Sequence, residues 1–188
     1  MKYFDWSPDT LESSRKNISE PSYRDGMRID AWRFKSCEHF NLDGDELWVD
    51  AEGVGDSSSV IFGAFELPFF LPSLASSISA VVGDQVQWVA VRVRSTGEKL
   101  YILNALREIK CIDESRSVFE KWEHGNSGRP DKVGQYKWMA DLAIDDSMVG
   151  NSDVFRPWGW RMPLIVSQRV KLIAEAAGVA SASFTAVA

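Results

Sequence analysis

The part of this sequence that most constrains its fold is a stretch of alternation within residues 85–109. Val89, Val91 and Val93 fall on one side of an extended chain, and Arg92 and Arg94 on the other. A period of two marks a strand with one buried and one solvated face. Ser95-Thr96-Gly97-Glu98 supplies the turn, and residues 99–109 return as a second strand. An isolated hairpin is marginal in water, so other elements of the same chain must cover the valine face.

Those elements are readable on both sides. Residues 60–62 and 65–71 are apolar and aromatic, as buried strands are. Ser73, after Pro72, is placed to cap a helix with Leu74, Ile78, Val81 and Val82 on one side and Gly83 as its stop. Further on, residues 162–166 read as a strand and Ser167 as the cap of a helix burying Val170, Ile173, Ala174 and Ala177. Gly178 stops that helix, and residues 180–187 alternate like a half-buried strand. The two units share one order of strand, capping serine, helix, stop glycine and strand. Either an internal duplication or the generic chemistry of helix ends produces such likeness.

The upstream third is less regular. Pro8, Pro21 and Gly26 break up residues 8–30, short strands are expected at 31–34 and 47–49, and residues 50–59, with Gly53, Gly55 and a run of serines, read as loop. The expected fold class is α+β, a mixed or antiparallel sheet with a few packed helices. A single domain over residues 60–188 is expected, preceded by an irregular, partly acidic region over residues 1–59.

At 188 residues, 45% of them hydrophobic, the chain is long enough for a sizeable core. Asp5 and Pro8 interrupt the N-terminus before any apolar run forms, and residues 67–71 are too short to span a bilayer. Neither an export signal nor a membrane segment is expected. Cys37 and Cys111 should then be reduced and buried, in a cytoplasmic protein. The net charge of −6 is unevenly spread: residues 36–91 hold no lysine or arginine but nine acids, among them Asp43, Asp45, Glu46, Asp50, Glu52 and Asp56. Such a block repels nucleic acid and attracts basic partners, and it also serves simply as solubilising surface.

Residues 100–117 carry Tyr101 and Asn104 on the strand, then Asp113 and Ser115; Phe155-Arg156 precede a strand, the Ser167-capped helix and Ala177-Gly178. This series over residues 60–187 resembles immunity family eleven of bacterial polymorphic toxin systems, once known only as a domain of unknown function. The resemblance implies a protein that neutralises a toxin encoded by an adjacent gene, often a nuclease of the histidine-metal type. It implies no catalytic residues. Asn104, Asp113, Ser115, Arg156 and Ser167 match its pattern, and caps, turn formers and buried hydrogen-bond partners are the roles expected for them. Trp158-Gly159-Trp160 has no place in that pattern.

Enzymatic alternatives founder on spacing. Cys37 and His39 lie two apart and Cys111 and His124 thirteen, unlike the closely coupled ligand pairs of a zinc site. Asp43-Gly44-Asp45-Glu46 lacks the later ligands of a calcium loop. The serines at 57–59 sit outside any nucleophile elbow, Cys37 and His39 have no third group to orient them, and no phosphate-binding glycine loop occurs. The tryptophans at 122, 138, 158 and 160 lie in a section rich in glycine, proline and charge, and serve either as packing under a long loop or as a partner-facing patch. The reading is therefore a non-enzymatic protein that needs no cofactor or metal and binds a cognate toxin. Its partner surface is expected at the acids of 43–56 named above, with Trp158, Trp160, Asp145 and Asp146. The alternatives are a metal-dependent enzyme built on Cys37 and His39, and a small-ligand or carbohydrate-binding module built on the tryptophans.

Overall fold

The computed structural model describes residues 1–9, 18–42, 44–51, 59–124, 128–179 and 182–188. The valine hairpin forms the middle of one five-stranded sheet. Its order is β2 (Leu47–Val49), β5 (Val86–Val93), β6 (Lys99–Ala105), β4 (Pro68–Phe70) and β3 (Val60–Phe62). All neighbours run antiparallel except β2 and β5. Val89 stands opposite Ile102 and Val91 opposite Leu100, and all four are buried, as the alternation requires. The return strand ends at Ala105 rather than 109. Leu106 still donates its amide to Gln85, but the carbonyl of Arg107 accepts from the Arg156 amide (2.9 Å). The chain thereby leaves for a second sheet.

That second sheet runs β12 (Ala182–Ala186), β1 (Tyr3–Pro8), β11 (Ile165–Ser167), β10 (Val154–Pro157) and β7 (Glu108–Ile109), with only β7 parallel to its neighbour. Two helices carry the crossovers. Helix α1 (Pro72–Val82) joins β4 to β5, and α2 (Gln168–Ala176) joins β11 to β12. Ser73 does not cap α1: the helix begins at Pro72, whose fixed φ suits the first position, and Leu71 precedes it without a side-chain bond. Ser167 does cap α2, accepting from the Val170 amide (3.5 Å). Gly83 and Gly178 stop the helices at φ +54° and +68°.

The likeness between the two units extends to strand order. The series β5-β6-β4-β3 recurs as β12-β1-β11-β10, every neighbour antiparallel, with a helix crossing over one intervening strand in each. In the first the intervening strand follows directly in the chain; in the second it is β1, from the chain's start. The helices share one core with the facing sides of both sheets, including Trp6, Phe70, Ile78, Leu103, Val154 and Val170.

Among the described residues of the first fifty-nine there are elements too brief for alternation to be read. Besides β1 and β2, they cover the outer face of the valine hairpin with Ile18, Ile29, Phe34 and Phe40. The strand expected at 31–34 is a 3-10 helix, Ala31–Lys35, because the Asp30 carboxylate accepts from the Trp32 amide (2.9 Å) and caps it. Asn104 holds the next segment down: its Nδ2 donates to the Glu38 carbonyl (2.8 Å) and to Gln87 Oε1 (3.0 Å). Gln87 in turn exchanges two bonds with the Phe40 backbone, each 2.7 Å.

Two cations are buried where this segment meets the second sheet. Arg156 Nη1 donates to the carbonyls of Arg161, Met162 and Pro163 (3.0, 2.9 and 3.1 Å), and Lys35 Nζ also reaches the Met162 carbonyl (3.3 Å). Burial first, then the like charge of Arg156, pulls the Lys35 ammonium down to about 8, while burial and Glu66 push the Asp5 carboxyl up to about 6. Stability that depends on Lys35 is present above its ordinary 10.5 and lost as pH falls through about 8. The stability gap between wild type and Lys35→Met, measured by urea unfolding, should therefore shift toward wild type by about 1–2 kcal/mol from pH 7 to 9.5. A gap that stays flat would refute this account of Lys35.

Candidate functional site

The residues matched to the family pattern are structural, as expected. Asn104 and Ser167 are fully buried and hydrogen-bonded. Asp113 closes a turn, accepting from the Ser115 amide and hydroxyl (3.0 and 2.6 Å) and from Arg116 Nε (2.6 Å). The Ser115 and Arg116 bonds hold its carboxyl down at about 2. Cys37 donates weakly to the Arg107 carbonyl (3.6 Å), and burial pushes its thiol up to about 11 and that of Cys111 up to about 12, well away from a thiolate nucleophile. Among the described residues no three His, Cys, Asp or Glu side chains gather to hold a metal ion. Among them, too, no helix is long and apolar enough to cross a membrane.

What remains is surface. Of the acids singled out in the 43–56 stretch, Asp43, Glu52 and Asp56 lie outside the described residues. Asp45, Glu46 and Asp50 are exposed at either end of β2. Glu46 forms an ion pair with Arg92, and Asp50 one with Arg94 (3.5 Å). These arginines are the ones that the alternation assigned to the wet face.

The tryptophan-rich section, which gave no sign of regular structure, contains a two-stranded ribbon, β8 (Val118–Lys121) with β9 (Tyr136–Asp141). Tyr136 seats the Trp158-Gly159-Trp160 turn on it. Its amide donates to the Gly159 carbonyl (3.1 Å), and its ring lies so close that a Cβ at 159 would stand 3.2 Å away. Trp160 is half-buried, and Trp158 is 39% exposed with the Lys110 ammonium 5.3 Å from its ring centre. Trp138, on the ribbon itself, is more open at 52%. Asp145 and Asp146 lie across the 109–111 segment from Trp158, since the Asp145 amide bonds to Cys111 and the Trp158 amide to Ile109. The Asp145 carboxylate caps its own turn at Ser147, and that of Asp146 takes the α-ammonium of Met1 (3.2 Å).

A third surface was not legible. Residue 65 reads as the start of an apolar strand, but Phe65 and Glu66 form the turn between β3 and β4, both at positive φ (+54° and +57°), with the Leu67 amide on the Ala64 carbonyl (3.2 Å). That mirror-image turn suits a strand hairpin but favours Asn-Gly; each ordinary residue held there costs about 1–2 kcal/mol. Phe65, 49% exposed, meets Trp32, 43% exposed, with ring centres 5.9 Å apart. The only sequence signal was negative, a hairpin turn lacking glycine and asparagine.

The described residues thus present three exposed surfaces: the acids beside β2, the Trp158 turn with its ribbon, and the Trp32–Phe65 pair. No curated protein matches the chain. Residues 78–188, more than half of the sequence, match the immunity protein family (Imm11). They span the valine hairpin, β10, β11, α2 and β12, together with the buried residues Asn104, Arg156 and Ser167. The chain belongs to the immunity protein family (Imm11).

Proposed function

We propose that this immunity protein acts in the bacterial cytoplasm, without catalysis, by binding a single cognate toxin encoded by the adjacent gene, and that the toxin is a basic, nuclease-type effector. The observation that supports this most is the nine-acid stretch free of lysine and arginine. Nucleases present cations to phosphate, so an acidic protein surface competes for the same groups. Asp43, Asp45, Glu46, Asp50, Glu52 and Asp56 steer the encounter. The ion pairs of Glu46 and Asp50 with Arg92 and Arg94 are exposed, so exchanging them for a partner's cations costs little. Trp158 and Trp160, with Asp145 and Asp146 across the 109–111 segment, form a further contact of the same complex.

The test is stopped-flow association with the toxin domain encoded by the adjacent gene. Replacing Asp43, Asp45, Asp50 and Asp56 together by asparagine should slow association about tenfold at low salt and flatten its dependence on ionic strength. Unchanged rates would remove the electrostatic part of this reading. If the wild-type protein does not bind that domain at all, the reading as a whole fails.

A further inference from the structure

Trp32 and Phe65 are large apolar side chains left in water, and three observations set them apart from other exposed residues. The first is rigidity. The Trp32 backbone is fixed by the Asp30 carboxylate (2.9 Å). Its ring lies over the buried Lys35 ammonium (5.5 Å) and against Phe65 at 5.9 Å. Side chains already held in place lose little entropy on binding. The second is strain. Phe65 occupies a backbone conformation that a glycine would hold more comfortably, and strain of this kind persists mainly at functional positions. The third is position. Both residues lie outside residues 78–188, the part that matches the family, on the segment that packs over the outer face of the valine hairpin and the turn beside it.

We infer that the Trp32–Phe65 pair is the apolar anchor of the toxin interface, taking an aliphatic or aromatic side chain that stands beside a lysine or arginine on the toxin surface. This rests on the proposed toxin-binding function and locates its energetic centre. The cation follows from the flanking charges. Glu66 adjoins Phe65 in the turn, where it also faces the buried Lys35 ammonium. Asp30, Glu38 and His39 line the shallow cleft of about 290 Å³ beside Trp32, so the net margin of the cleft is acidic. Arg33 borders that cleft too, but its guanidinium lies over the Phe40 ring at 4.6 Å. An aromatic centre with an acidic margin is the pattern of an interface hot spot that selects a mixed apolar and basic partner.

The experiment compares wild type, Trp32→Ala and Phe65→Gly for binding to the toxin domain encoded by the adjacent gene, by surface plasmon resonance, with thermal unfolding run in parallel. Phe65→Gly relaxes the turn, so its Tm should equal or exceed that of wild type, which separates lost contact from lost fold. Each variant should weaken binding at least tenfold, through faster dissociation, with the association rate and its salt dependence unchanged. Affinities within twofold of wild type in both variants would overturn the anchor while leaving the toxin-binding function standing. Failure of the wild-type protein itself to bind would overturn that function and the anchor with it.

Discussion

Arg156→Met should lower unfolding stability by about 3 kcal/mol, a loss measurable in urea and roughly a 10 °C fall in Tm for a chain of this size. The sign is not obvious, because a buried cation is costly in its own right. Arg156 is 1% exposed, its Nε and Nη2 have no hydrogen-bond partner among the described residues, and burial pulls it down to about 10. Removing it relieves that desolvation and the repulsion on Lys35. Against this stand the carbonyls of 161, 162 and 163, which share one guanidinium nitrogen. Each buried acceptor left alone costs about 1–3 kcal/mol, and Lys35 reaches only the middle one. The loss should exceed the relief. Arg156→Lys should recover little, since an ammonium lacks the planar reach of the guanidinium. A variant as stable as wild type would show that the 161–163 segment has another donor.

Trp6→Ala should cost about 3–5 kcal/mol, the usual toll for emptying a large aromatic site. Trp6 is 2% exposed and bridges the two sheets, packing edge-on against Phe70 at 5.2 Å and against Phe184 at 5.1 Å. Trp6→Phe keeps most of the apolar area and should cost no more than about 1.5 kcal/mol. If alanine and phenylalanine prove equally mild, β1 is not held by this side chain and the shared core is looser than its packing indicates.

These two residues mark the limits of what the sequence discloses. Arg156 belongs to the family pattern, and its role as a buried donor agrees with that pattern. Trp6 carries no such signal, since Tyr3 to Pro8 is six residues with one acid and a proline, and its strand pairs only with segments 160 to 182 positions later. Alternation and helix caps are local signals, so the hairpin, α2 and both stop glycines could be read directly. Pairing across the whole chain leaves no local trace. The same holds for the surfaces. Charge is countable, and the acids of 43–56 stood out, but whether an acid already has a partner depends on tertiary placement, as Glu46 and Asp50 show with Arg92 and Arg94. Trp32 and Phe65 are thirty-three positions apart, and only the fold brings their rings together.

The pairing of β1 with strands so much later in the sequence has a consequence for the order in which the protein folds. On the ribosome β1 emerges long before its two neighbours, β11 and β12. Until they do, Tyr3 and Trp6 have no sheet to enter, and the second sheet cannot close. Until β11 and β12 are made, the nascent chain therefore carries an open strand edge, a hazard for misassembly. Closure of the shared core thus waits on the later strands, and a fragment lacking β11 and β12 would leave Tyr3 and Trp6 without a sheet to enter.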